Sequence, residues 1–248
     1  MDWGRAKSVL ICAFLLLNGL LGYQLWVDVR DQAQSNLDFT SLSDNAQQAM
    51  EEKHIQVTAQ IPRDTPILSK VIYQYTGQDV IETPIKLKSS VDSQLIFNED
   101  ELRNQLADEI PDIENYRYDP LVSEESVFML HPLINSDLPL FNMNLQLYYS
   151  NQKITSYTEP QWTVSANQDQ PKQEIISASN ALGSLIEKEI PESSVIKDIA
   201  LGFYGQTLDS THQLAVPVWR IALDSGAFYY VQAINGEVIV PPAAENKE

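Results

Sequence analysis

Apolar positions follow two regimes along this chain. From Val9 to Val27 they run on unbroken by charge: VLICAFLLLNGLLGYQLWV holds 19 residues. At ~1.5 Å per helical residue that stretch reaches roughly 28 Å, the depth of a bilayer's hydrocarbon core. Residues 9–17 are apolar all round, which leaves no polar face for water. Arg5 and Lys7 precede the run, and Tyr23 and Trp26 close it at headgroup level. The pattern predicts a cytoplasmic N-terminus at 1–7, a transmembrane helix at 8–27, and everything beyond on the outer side of the membrane. A cleaved signal peptide fits less well, because Gln24-Leu25-Trp26-Val27 offers no small-x-small site.

After Asp28 the apolar residues become periodic. Residues 28–53 read as a stalk and a lead-in helix, with Ser43 or Asp44 as its N-cap. Ile55, Val57, Ala59 and Ile61 alternate with polar neighbours, as in a half-buried strand. Further strands are expected at 68–76, 80–87 and 93–97. Asn98 then caps a helix running to about Ile110. Strands follow at 116–118 and 127–134, where Pro132 implies an edge or an end. Residues 141–149 and 153–157 form a hairpin turning at Ser150-Asn151-Gln152. A helix spans 173–190 and stops at Pro191, and strands follow at 195–204, 212–223, 227–234 and 237–240.

The fold class expected is α+β: one N-terminal transmembrane helix, then an extracytoplasmic region of two helix-on-antiparallel-sheet units. The first unit is placed at 54–158 and the second at 171–242, with 243–248 a frayed tail. Tyr148-Tyr149 and Tyr229-Tyr230 stand at matching places before a turn and a final strand, which suggests an internal repeat.

Charge narrows the partners. The chain carries 34 acids and 16 Lys or Arg. Only Asp2, Arg5 and Lys7 lie before residue 28, so 33 acids and 14 bases lie beyond the span. Such a surface repels nucleic acid and anionic headgroups. The single cysteine, Cys12, lies within the span, so the outer region has no disulfide, which suits a bacterial cell surface. His54, His131 and His212 are scattered and lack metal spacing. No G-x-S-x-G elbow, phosphate loop or C-x-x-C occurs. The acid pairs Asp100-Glu101 and Asp108-Glu109 belong to a helix surface, and Glu124-Glu125 to a loop. Neither an enzyme nor a cofactor is expected. Within the span, Asn18 and Gly22 share one helical face, and Leu15 and Gly19 form the adjacent row. They are the proposed face for a partner helix, though Asn18 can equally bond its own backbone.

The opening MDWGRAKSVLICAFLLLNGLLGYQL resembles the start of the YycI family. His54–Pro62, Pro139–Asn142, Pro217–Ile221 and Tyr229–Ile239 resemble its first strand, middle hairpin and C-terminal hairpin. The resemblance implies an accessory membrane protein of low-GC Gram-positive bacteria. Such a protein acts with a YycH-like partner on the sensor histidine kinase WalK (also YycG), which signals to the regulator WalR in cell-wall homeostasis. Contacts run through transmembrane helices and outer domains. Two other classes are kept in view: a PepSY-like extracytoplasmic inhibitor of a wall protease, and a module that binds or processes wall polymer.

Overall fold

The computed structural model describes Lys7, Phe14, Leu17, Asn18, Leu21 and Tyr23, then residues 42–76, 83–110, 112–135, 137–165, 170–209 and 211–239. The six N-terminal residues are helical and exposed. Most of the expected span lies outside the described residues, and among those described no helix is long and apolar enough to cross a membrane.

Among the described residues from 42 onward the architecture is mixed α+β, with two main sheets and three α-helices. In chain order the elements are α1 (Asp44–Glu52), β1 (Gln56–Val57), β2 (Ile67–Leu68), β3 (Val71–Tyr75), β4 (Ile85–Asp92), α2 (Glu99–Leu106), β5 (Tyr116–Tyr118), β6 (Val127–Ile134), β7 (Leu138–Pro139), β8 (Leu145–Ser150), β9 (Lys153–Thr158), β10 (Trp162–Val164), β11 (Gln173–Glu174), α3 (Ala178–Lys188), β12 (Val195–Thr207), β13 (His212–Leu223), β14 (Phe228–Gln232) and β15 (Val238–Ile239).

Helix starts follow local chemistry. Ser43, Asn98 and Ser177 each sit just before a helix and accept a backbone N–H three residues on. The third helix therefore starts at Ala178 and not at 173. Residues 173–174 instead extend and pair with β2. The hairpin β8–β9 turns through Asn151 and Gln152, both at positive φ (51° and 62°), as a two-residue turn of matching twist requires. Residues 93–97, expected as a strand, form a 3₁₀ helix. The Asp92 carboxylate accepts the Gln94 N–H at 2.8 Å and turns the chain before a strand can continue.

Strand pairing departs from two chain-contiguous units. One sheet has the order β4-β9-β8-β6-β5 with β7 on β6, all drawn from 85–158. The other is β1-β12-β13-β14-β15, and β3 and β10 join it through β13. β1 and β3 thus leave the 54–158 stretch for the C-terminal sheet, and β1 pairs with β12 in parallel. The reason is the length of β13. Its first half, His212–Ala215, holds β3, and its second half, Val218–Ala222, holds β14. Pro132 comes after Leu130, the last residue paired with β8, so its missing N–H breaks no ladder there.

Each sheet has a helical cover. On the C-terminal sheet Trp219, Ile221 and Val231 pack under Ala46 of α1 and Leu182, Leu185 and Ile186 of α3. Lys53 closes the end of α3, its ammonium donating to the carbonyl of Ile186 at 2.7 Å. On the other sheet Leu102 and Leu106 of α2 cover Leu130, Leu145, Leu147 and Ile154.

Candidate functional site

The two sheets meet where residues 138–143 lie along β12. β1 accompanies β12 only at its start, Val195–Ile196. Further on, the Phe141 N–H donates to the Phe203 carbonyl at 2.9 Å. Asn142 then mimics a strand residue: its Nδ2 donates to the Gly205 carbonyl at 2.9 Å and its Oδ1 accepts the Gly205 N–H at 2.8 Å. The backbone can come this close because β12 carries glycine at the crossing. A Cβ on Gly202 would collide with the Phe141 ring and stand 2.6 Å from the Pro139 carbonyl oxygen.

A buried charge cluster sits beside this seam. Arg220 lies in a strand that is otherwise almost wholly apolar. Trp219 and Ile221 point to the helices, and alternation sends Arg220 to the opposite face with Val216 and Val218. There Arg220 Nη1 donates to Asp119 Oδ2, and Nη2 donates to Asp198 Oδ2 at 3.3 Å. Asp119 follows β5 directly. Its Oδ1 accepts the Leu121 N–H at 3.0 Å, a local turn that fixes the carboxylate's direction. His131, on the neighbouring β6, places Nε2 3.1 Å from Asp119 Oδ2 and Nδ1 3.1 Å from the Met143 carbonyl oxygen. Asp119, His131 and Arg220 are all buried, at 6%, 2% and 4% exposure.

The electrostatics follow from that geometry. Burial pushes the Asp119 carboxyl up. The His131 hydrogen bond and the Arg220 charge outweigh it and hold the group well below the usual carboxylate range. An oxygen atom stands at each nitrogen of the His131 ring, and the two contacts fix the ring's orientation. The guanidinium lies 4.4 Å above the centre of the Phe141 ring and 5.4 Å from that of Phe228. Arg220 Nε has no hydrogen-bond partner among the described residues. Burial pushes the nearby Tyr230 hydroxyl up to about 12, against the pull of Arg220. A cleft of about 380 Å³ opens beside the cluster, lined by Arg117, Lys197, Asp198 and Phe141 among others.

This arrangement ties the sheets together and is poorly suited to proton transfer. Both His131 nitrogens are engaged by the protein itself, which leaves none to receive a proton from a substrate. Among the described residues no group of three or more His, Cys, Asp or Glu stands ready for a metal ion. His54 is exposed, and His212, at the start of the strand that carries Arg220, pairs with Asp209 at 3.1 Å on the surface.

The face expected from the sequence lies elsewhere. Leu15, Gly19 and Gly22 fall outside the described residues. Asn18 is described, and its Nδ2 donates to the Phe14 carbonyl at 2.9 Å. No motif singles out Asp119 or Asp198, and His131 lacks metal spacing in the sequence. One signal was present: an arginine inside the run Ala215–Leu223, where every other residue is apolar.

The family model for the YycI protein matches residues 34–234. No curated protein matches the chain. Among solved structures, an uncharacterized protein from Eubacterium rectale ATCC 33656 is similar at 11% identity and a TM-score of 0.43, covering 70% of this chain and 68% of that one.

Proposed function

The chain belongs to the YycI family, and from that membership we propose that it is a non-catalytic, membrane-anchored regulator of the histidine kinase WalK (YycG). It acts with a YycH-like membrane protein, its N-terminus in the cytoplasm and its folded region outside. The observation that carries this reading is the family match across 34–234, which takes in almost the whole folded region. The 19-residue uncharged run at Val9–Val27 supports the anchor.

The mechanism follows from helix packing. A kinase whose membrane helices have two signalling positions is biased by a third helix that packs better against one of them. A differential of about 1–3 kcal/mol shifts output roughly 5- to 150-fold. We place the contact on Leu15, Asn18, Gly19 and Gly22. The Asn18 amide nitrogen already serves the Phe14 carbonyl, so close approach across Gly19 and Gly22 supplies most of the contact.

Crosslinking and pull-down from membranes tests this, comparing the native chain with one whose span is replaced by an unrelated apolar helix. Kinase recovered with the native span and lost with the replacement supports the reading. Gly22→Leu, at equal expression, is expected to weaken both kinase association and WalR-dependent transcription. Unchanged association and signalling would remove this face from the mechanism, and no kinase in any sample would remove the reading itself.

A further inference from the structure

On another side of the seam between the sheets lies a cleft of about 590 Å³. One wall is β10 with the connection that leads into it, Glu159–Val164. The other comes from β5, β6 and the turn before β5. Its lining includes two carboxylates, Glu159 and Asp112, and no Lys, Arg or His. Glu159 is half-buried and accepts the Tyr116 hydroxyl at 3.3 Å. Trp162 lines the same cleft beside Tyr116, and its ring stands edge-on to Tyr73 at 5.8 Å. A carboxylate has thus been drawn partly out of water and held by one neutral hydroxyl. Burial pushes its titration upward against the Tyr116 hydrogen bond, with a smaller upward push from the charge of Asp112. Among the described residues no salt bridge supplies Glu159 with the cation that would offset its desolvation.

The wall beside it is a strand edge. Among the described residues β10 pairs only with β3, in the register Trp162↔Tyr75, Thr163↔Gln74 and Val164↔Tyr73. In an antiparallel pair, alternate residues turn their N–H and C=O away from the partner strand. The Ser165 N–H and Gln161 carbonyl bond toward β3, so Trp162 and Val164 present theirs to the other side. Val164 and Tyr75 are both 45% exposed, which adds apolar surface along the same edge. A free edge is a template for an added strand.

We propose that this cleft is a docking site for an extended peptide segment bearing lysine or arginine, which adds to the edge of β10 and places its cation on Glu159. The proposal rests on the cleft itself and does not depend on the kinase reading. Charge complementarity selects the occupant. An acidic segment would meet Glu159 and Asp112, and a purely apolar one would leave Glu159 desolvated and without a counter-charge.

The test uses the purified full chain in detergent micelles and fluorescence anisotropy of a labelled heptapeptide alternating valine and lysine. The native chain is expected to bind it, and Glu159→Gln is expected to weaken binding about tenfold, as for loss of one charge-assisted hydrogen bond. Asp100→Asn, which removes an equal charge from an exposed helix surface, is expected to leave binding unchanged. A heptapeptide with glutamate for lysine is expected not to bind. So is a lysine peptide N-methylated at alternate residues, which keeps its charge but cannot pair with an edge. Equal losses in Glu159→Gln and Asp100→Asn would overturn the site, because binding would then follow net charge. Undiminished binding of the N-methylated peptide would overturn strand docking.

Discussion

Replacing Arg220 by Met keeps most of the side-chain stem beside Phe141 and removes the charge. Asp119 would then retain the His131 Nε2 contact at 3.1 Å and the Leu121 amide at 3.0 Å, but lose the guanidinium. Removing one member of a buried, hydrogen-bonded ion pair costs ~3–5 kcal/mol, chiefly because the other charge stays buried. Two retained donors put the expectation at the lower end, about 3 kcal/mol. For a folded region of roughly 200 residues this lowers Tm by about 6–12 °C. Adding Asp119→Asn to the variant removes the stranded charge and should recover about 1–2 kcal/mol. Urea unfolding of the purified chain, followed by tryptophan fluorescence, reads both variants. Trp219 reports directly, since it is fully buried next to Arg220. Two variants that unfold within ~0.5 kcal/mol of each other would refute the argument, because the cost would then come from lost packing alone.

Three further outcomes follow from the seam. Gly202→Ala should destabilise by about 1–3 kcal/mol. The clash with the Phe141 ring and the backbone at Pro139 exceeds the ~0.5–1 kcal/mol that alanine usually gains over glycine within a strand. A rise in urea midpoint would contradict it. Asn142→Ala should strip the Gly205 N–H and C=O of their partner and cost about 2 kcal/mol, with hydrogen exchange at the Gly205 amide accelerated first. Acid should weaken the clamp in a definite direction. The folded carboxyl of Asp119 titrates below its unfolded value, so its contribution is full above about pH 4–5 and is lost as pH falls toward the lower folded value. Stability measured from pH 6 down to pH 2 should therefore fall more steeply in the native chain than in Asp119→Asn, and parallel slopes would assign the acid response to other groups.

The sequence alone determined whatever depends on near neighbours. Helix starts at Ser43 and Asn98 need only one side-chain oxygen and an amide three residues away, whereas α3 begins at Ala178, five residues after the 173 that its apolar periodicity suggested. The β8–β9 hairpin needs two turn residues between two alternating runs. The amphipathic face of α3, and with it the mixed α+β class, is a periodicity readable in one window. The uncharged run at 9–27 is likewise a local property of composition. Residues 93–97 show the limit of such windows: a pentapeptide ending in Leu95-Ile96-Phe97 became a 3₁₀ helix because the residue before it offered a competing hydrogen bond.

Only the tertiary structure decided which strands meet. β1 and β3 carry the alternation of any half-buried strand, and nothing within them specifies β12 and β13 as partners more than 120 residues away. The clamp is of the same kind: Asp119 and Arg220 lie 101 residues apart, and neither segment alone is short of a charge partner. Arg220 was legible as an anomaly, a charge in an apolar strand, but its carboxylate was not. The physical reason is that periodicity fixes which face a side chain takes, whereas the identity of what it meets depends on how whole sheets pack.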